Sequence, residues 1–208
     1  MKKVKENKGL KKRAYQQIEK MHPHKALLFV SMFGSTLIFL FLAVAFAASP
    51  VEISETPNFR LPKAFVISTL MLLLLSGTVS RVLPFFVIGR VEPVLKWLGI
   101  TLMLGLIFAL SQFIGWQELK TANVFFDRKN TGAYLYVIFG LHFIHVFAGI
   151  VYLIYLLLGC YYAAKDGVKK LVYETNPYQK IKFEMLRDFW QFTSMIWVLL
   201  FLYFYISY

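Results

Sequence analysis

The stretch ALLFVSMFGSTLIFLFLAVAFAA, residues 26–48, decides the fold and contains no charged residue. Wound into a helix rising about 1.5 Å per residue it is about 34 Å long, enough to cross a hydrocarbon core of roughly 30 Å. Leu, Phe, Val and Ile occur on every side, so no polar face is left for water. Unpaired backbone groups are not tolerated in hydrocarbon, and a run of this length satisfies them as a helix rather than as a barrel strand. Ala45-Phe46-Ala47 has the small-residue pattern of a signal-peptidase site. The apolar stretch before it is about twice as long as a signal h-region of 7–15 residues, so a retained anchor is expected.

Four more such runs follow. Residues 64–80 are apolar apart from hydroxyls and continue past Arg81 through Val82 and Leu83. Trp97–Gln117 is free of charge, 133–158 lies within a longer apolar segment, and Phe189–Tyr208 closes the chain. The predicted architecture is an all-α membrane protein: a basic tail over 1–25, then a five-helix transmembrane bundle over 26–208, with spans near 26–48, 64–83, 97–117, 133–158 and 189–208. Aromatic residues mark the ends of these spans, as at membrane interfaces. Trp97 and Trp116 bracket the third, Tyr134 and Tyr136 stand opposite Tyr161 and Tyr162 across the fourth, and Tyr203, Tyr205 and Tyr208 end the fifth.

Composition agrees. Of the 208 residues 58% are hydrophobic and 16% charged, against about a quarter charged in soluble domains. The net charge of +12 could suit nucleic acid, but it sits at the ends of apolar runs, where anionic headgroups would meet it. No nucleic-acid partner is expected. Eighteen of the 23 Lys and Arg fall in the N-terminal tail and in the second and fourth connections. The positive-inside rule therefore puts the N-terminus in the cytoplasm and the C-terminus outside.

None of the eleven acids lies in the middle of a span; Glu118, just past Trp116, comes closest. Ion-coupled carriers hold ionisable groups within the bilayer, and many interrupt their helices at the midplane and divide into repeats. This chain does neither, which argues against a free-standing transporter. His142 and His145 lie three apart on one face of the fourth helix. Without an acid or thiol nearby they cannot complete a four-ligand metal site, and a bis-histidine haem needs ligands on facing helices. Both are expected to be structural, bonding a neighbouring helix or a lipid head. The single cysteine, Cys160, excludes an internal disulfide and is expected to be a small buried or lipid-facing residue. Gly140, Gly149, Ser76-Gly77-Thr78 and Ser80 are candidates for close helix contact. In the tail, Leu10, Ala14, Ile18 and Met21 form one apolar stripe, predicting an interfacial helix before Pro23; the alternative is a solvated basic tail. His22 and His24 flank that proline, and histidine is the side chain whose ordinary charge change falls near neutral pH.

The unusual polar residues carry a resemblance. Gly140-Leu141-His142-Phe143-Ile144-His145-Val146, with Gly149, resembles the G-x-H-x-x-H-V-x-x-G helix of subunit III of haem–copper respiratory oxidases. Trp190-Gln191-Phe192-Thr193-Ser194-Met195-Ile196-Trp197, continued to Phe201, is similar to that family's closing W-H-F-x-D-x-x-W-x-x-x-F helix. Phe108, Gln112, Trp116 and Glu118 fit its third-helix pattern, and Ser68-Thr69 with Ser76-Gly77-Thr78 its second, so the resemblance covers the short five-span form over 26–208. Ser35 and Gly115 stand where many members carry an acid, and Gln191 and Ser194 replace a His and an Asp.

The resemblance implies a non-catalytic subunit in a bacterial cytoplasmic membrane, performing no redox chemistry itself and binding no haem or copper. These cofactors belong to the partner subunits, while phospholipid is bound alongside this one. Its partners would be the catalytic subunit I, the other oxidase subunits and membrane lipids, with a larger respiratory supercomplex as a further level of assembly. The complex would reduce O2 to water with electrons from cytochrome c or quinol, this subunit sustaining proton uptake and catalytic lifetime. His142, His145, Gln112, Glu118, Trp190 and Trp197 become the residues expected to contact lipid, subunit or bundle. His22 and His24 become the residues expected to exchange protons at the inner surface, the alternative being two solvated histidines around a helix-stopping proline. Subunit-III-like proteins also accompany nitric oxide reductases, which is the second reading the motifs allow.

Overall fold

A computed structural model of the chain describes residues 22–48, 63–121 and 132–207. The basic tail with its expected interfacial helix lies outside the described residues, as do the connections 49–62 and 122–131. Six helices are present among the described residues: α1 Pro23–Ala48, α2 Lys63–Val87, α3 Val91–Thr121, α4 Gly132–Ala164, α5 Gly167–Thr175 and α6 Pro177–Ser207. All but α5 are long and apolar enough to cross a membrane.

Local chemistry sets several helix ends. Pro23 opens α1 and Pro177 opens α6, at the position where the missing N–H costs nothing. At the start of α6 the Asn176 side chain accepts from the Tyr178 amide at 2.9 Å. Helix α2 runs through Pro84 and stops at Gly89, whose φ of 68° is open to glycine at little cost. The Gly89 amide donates to the Phe86 carbonyl at 3.0 Å and the Arg90 amide to Phe85 at 3.1 Å, which is a Schellman closure. That tight turn folds α3 back along α2. Asp166 caps α5 by accepting from the Val168 amide at 2.9 Å.

The helices are longer than the apolar runs, most of all in α6, which begins twelve residues before Phe189. Its first turns carry Lys180, Lys182, Glu184, Arg187 and Asp188, charges that hide the helix from a hydropathy reading. Glu184, Arg187 and Asp188 pair at the rim. Lys25 of α1 reaches Glu184 at 2.8 Å and Asp188 at 3.8 Å, and Arg187 holds Asp188 at 2.7 Å.

Helix α3 packs along α2 and against α4, and α6 fills the space between α2 and α4. Trp190, Trp197, Phe65, Phe108, Phe183 and Phe204 form the largest fully buried side chains. Helix α1 is an outer stave against α4 and α6, and only Ser35, Phe39 and Phe46 of it are buried. Leu27, Val30, Phe33 and Phe41 face outward, as expected where lipid rather than water is the solvent.

Among the small residues, the close approaches are at Gly149 and Gly115. A Cβ on Gly149 would lie 3.0 Å from the Phe189 and Trp190 rings, and one on Gly115 would lie 2.3 Å from the Phe65 ring. Gly140 and Gly77 face open space, so the helices do not meet there as the sequence led us to expect. The relevant face of α4 is the one carrying Gly149.

Candidate functional site: a polar seam through the bundle

Ser35 of α1 lies beside His145 of α4, with Oγ 2.7 Å from Nε2. The other ring nitrogen, Nδ1, is 2.8 Å from the Leu141 carbonyl. A carbonyl can only accept, so Nδ1 carries the proton and in the neutral ring Nε2 accepts from the Ser35 hydroxyl. One turn on, Phe39 lies 5.6 Å from the His145 ring and 6.4 Å from that of His142.

His142 departs from expectation. Its ring is buried among aromatics, 4.8 Å from Trp197 and 5.9 Å from Phe108, and neither nitrogen has a hydrogen-bond partner among the described residues. The reason lies in helix geometry. Three residues turn the side chain by about 300°, so two histidines on one broad face still diverge by about 60°. His145 meets the hydroxyl of α1, and His142 turns into the core.

Trp197 is the hub of that core. Phe65, Phe108 and Phe139 lie 5.4–5.8 Å from it, and its indole N–H donates to the Thr69 hydroxyl at 2.9 Å. Thr69 in turn donates to the Phe65 carbonyl at 2.7 Å. Trp190 is fully buried against Gly149 and Gly105. Gln112 is buried in α3, and its amide nitrogen has no partner among the described residues. Glu118 lies in the last turn of α3, half-buried, where its backbone carbonyl accepts from the Thr121 hydroxyl.

Sequence reasoning missed a clasp between α2 and α6. Ser76 donates to Gln191 Oε1 at 2.7 Å, and Gln191 Nε2 donates to the Ser80 hydroxyl at 2.7 Å and the Ser76 carbonyl at 3.0 Å. The signal was present: two serines one turn apart on α2 and an amide in the apolar stretch of α6. No spacing argument joins residues separated by 115 positions.

At the charged end, the rings of His22 and His24 lie 5.1 Å apart and both pack on Tyr178, at 5.4 and 6.2 Å. His24 also lines a groove of about 420 Å3 between α1, α4 and α6. A second recess of about 220 Å3, floored by Ala148 and Phe189, shares Leu28, Tyr152 and Met185 with it. At the mouth the Lys182 ammonium donates to the Tyr155 hydroxyl at 2.9 Å and lies 5.0 Å from the Tyr155 and Tyr178 ring centres. A cationic mouth over an apolar floor suits an amphiphile with an anionic head. Among the described residues no three His, Cys, Asp or Glu are grouped to hold a metal ion. Outside the spans, burial pushes the Tyr173 phenol above its ordinary pKa.

A bundle of five membrane-length helices, keyed by buried hydroxyl, amide and imidazole contacts, defines a polytopic α-helical membrane protein. The family model for cytochrome c oxidase subunit III matches residues 23–208, and the chain belongs to that family. It is similar to the cytochrome bo(3) ubiquinol oxidase subunit 3 of Buchnera aphidicola subsp. Baizongia pistaciae, 29% identical over 143 residues covering 68% of each chain. The corresponding subunit of Pseudomonas putida is 27% identical over 175 residues, 84% of this chain and 76% of that one. The probable cytochrome c oxidase subunit 3 of Mycobacterium bovis is 26% identical over 113 residues, 54% of this chain and only 51% of the relative.

Proposed function

We propose that this chain is the non-catalytic subunit III of a terminal haem–copper oxidase in a bacterial cytoplasmic membrane, N-terminus inside. It packs beside the catalytic subunit, which would hold the haem and copper and reduce O2 to water with electrons from cytochrome c or quinol. The observation that carries the reading is the family match over residues 23–208, which takes in every described helix. The relatives named above are oxidase subunits, which favours an O2 reductase over a nitric oxide reductase. The chain's own contribution is structural. His145, Trp190 and Trp197 key the helices, His142 fills the aromatic core, and Gln112 and Glu118 serve contacts within the assembly. The groove under Lys182 holds a phospholipid, and His22 and His24 exchange protons at the same surface.

The test is extraction in a mild detergent followed by affinity purification of this chain. Co-purification of a haem–copper catalytic subunit with O2 uptake supports the proposal. Recovery of the chain alone, or of a complex that consumes NO and not O2, overturns it.

A further inference from the structure

Helix α5 turns its polar residues toward the protein and its apolar residues away from it. At 3.6 residues per turn, Lys170, Tyr173 and Glu174 share one face, while Val168, Leu171 and Val172 share the opposite one. The first face is docked. Lys170 holds Glu92 of α3 at 2.6 Å, Tyr173 packs on Phe86 and Phe183, and Glu174 lies over the Gly89 turn. On the second, Val168, Leu171 and Val172 are 73%, 63% and 62% exposed. Three neighbouring aliphatic side chains exposed on one face of a nine-residue helix form a stripe that an apolar medium would stabilise.

Depth identifies that medium. α5 does not project beyond the bundle; it folds back beside the last turns of the membrane-length helix α4, with the Tyr173 hydroxyl beside Gly159. Val168 and Val172 line a single groove with Tyr162, which is itself exposed at the end of α4. Lys165, Asp166 and Lys169 line the same groove; the exposed Lys169 lies 3.9 Å from the Asp166 carboxylate, and the Lys165 ammonium lies 4.6 Å from the Tyr161 ring centre. Tyrosines with lysines at a span's end mark the headgroup level, and an apolar helical stripe flanked by lysines is the pattern of an in-plane anchor.

We propose that α5 is an interfacial anchor: Val168, Leu171 and Val172 insert at the headgroup–acyl boundary of the adjoining leaflet, and Lys165 and Lys169 meet anionic lipid phosphates. This rests on the membrane assignment proposed above but not on the oxidase assignment. α5 then wedges between the bilayer and the α2–α3 turn, fixing how deep the charged end of the bundle sits.

The test uses the purified complex in nanodiscs of phosphatidylcholine and phosphatidylglycerol. Nitroxides are placed singly at Val168→Cys, Leu171→Cys and Val172→Cys, with Lys180→Cys as the aqueous reference and the buried Cys160 changed to Ala. Collision with O2 should exceed collision with a water-soluble nickel chelate several-fold at the three apolar sites and fall below it at position 180. Replacing all phosphatidylglycerol with phosphatidylcholine should reduce that preference. A chelate preference at 168 and 171 would place the helix in water and overturn the anchor. Low collision with both reagents would mean a protein partner covers the face, which also overturns it. Insensitivity to phosphatidylglycerol would remove the phosphate contact. None of these readouts depends on O2 turnover, so failure of the anchor is distinguishable from failure of the oxidase assignment.

Discussion

Ser35 and His145, on the first and fourth helices and 110 residues apart in sequence, are joined by a 2.7 Å hydrogen bond within the apolar depth of the bundle. Ser35→Ala leaves Nε2 without its partner, at a cost of about 0.5–2 kcal/mol, as for interhelical bonds in membranes. Subunit retention during a thermal ramp in detergent should drop by a few degrees. Replacing His142 and His145 together by Ala should loosen the subunit further and leave the haem absorption of the complex unchanged. Loss of a haem band would make this chain an electron carrier.

The same pair predicts a reactivity. Residues 23–48 contain no carboxyl group, so a hydrophobic carbodiimide has nothing to modify there. Ser35→Glu would put a carboxyl in an apolar setting, where its protonated, carbodiimide-reactive form is favoured. Mass spectrometry should find an adduct within 23–48 in that variant and none in the parent.

Two glycines should respond in opposite ways. Phe65 is held by Phe139 at 4.6 Å and Trp197 at 5.8 Å, so it cannot easily swing from a new methyl group at position 115. Gly115→Ala should cost about 1–3 kcal/mol, the usual penalty of overpacking. Gly140→Ala meets nothing within 4 Å and should be neutral or slightly stabilising. Unfolding midpoints of the two variants in one detergent decide the matter; equal shifts would mean the helices do not pack as described.

The spans were legible in the sequence because charge-free runs of membrane length have few other solutions. The start of α6 was not, since its charges break the apolar run, and the pairing of Glu184 and Asp188 with Lys25 across helices leaves no periodic trace. The candidate site was legible as a set of residues rather than as contacts. Ser35, His145, Gln191 and Ser76 each stood out as polar in apolar surroundings, but nothing in their spacing pairs the first with the second or the third with the fourth. His142 was misread because two histidines on one face suggest one role, while a 60° divergence gives them different neighbours.

Gln191 should matter more than either serine it holds. Gln191→Leu removes all three hydrogen bonds of the clasp, whereas Ser80→Ala removes one. Loss of about 1–2 kcal/mol is expected for the first and less than about 1 kcal/mol for the second. Denaturant titrations should preserve that order, and a reversed order would show the clasp contributes nothing net.

A pH series addresses His22 and His24. Turnover of a His22→Gln, His24→Gln complex is expected to fall below the parent between about pH 6 and 9, which brackets the imidazole range. Turnover and catalytic lifetime identical to the parent throughout would restrict these rings to packing on Tyr178.

Among the described residues, polar contacts hold α1 to the bundle at three heights: Lys25 to Glu184 and Asp188, Ser35 to His145, and the Ala43 carbonyl to the Tyr203 hydroxyl at 3.2 Å. Hydrophobicity gives lipid-immersed helices little reason to prefer one vertical offset over another. For this outer stave the offset is therefore set by a three-point code. A slip of one turn, about 5.4 Å, would break every point at once, whereas pivoting about the midpoint would spare Ser35 and His145. A tilt of the first helix about that midpoint would thus keep its height in the membrane while releasing its two ends.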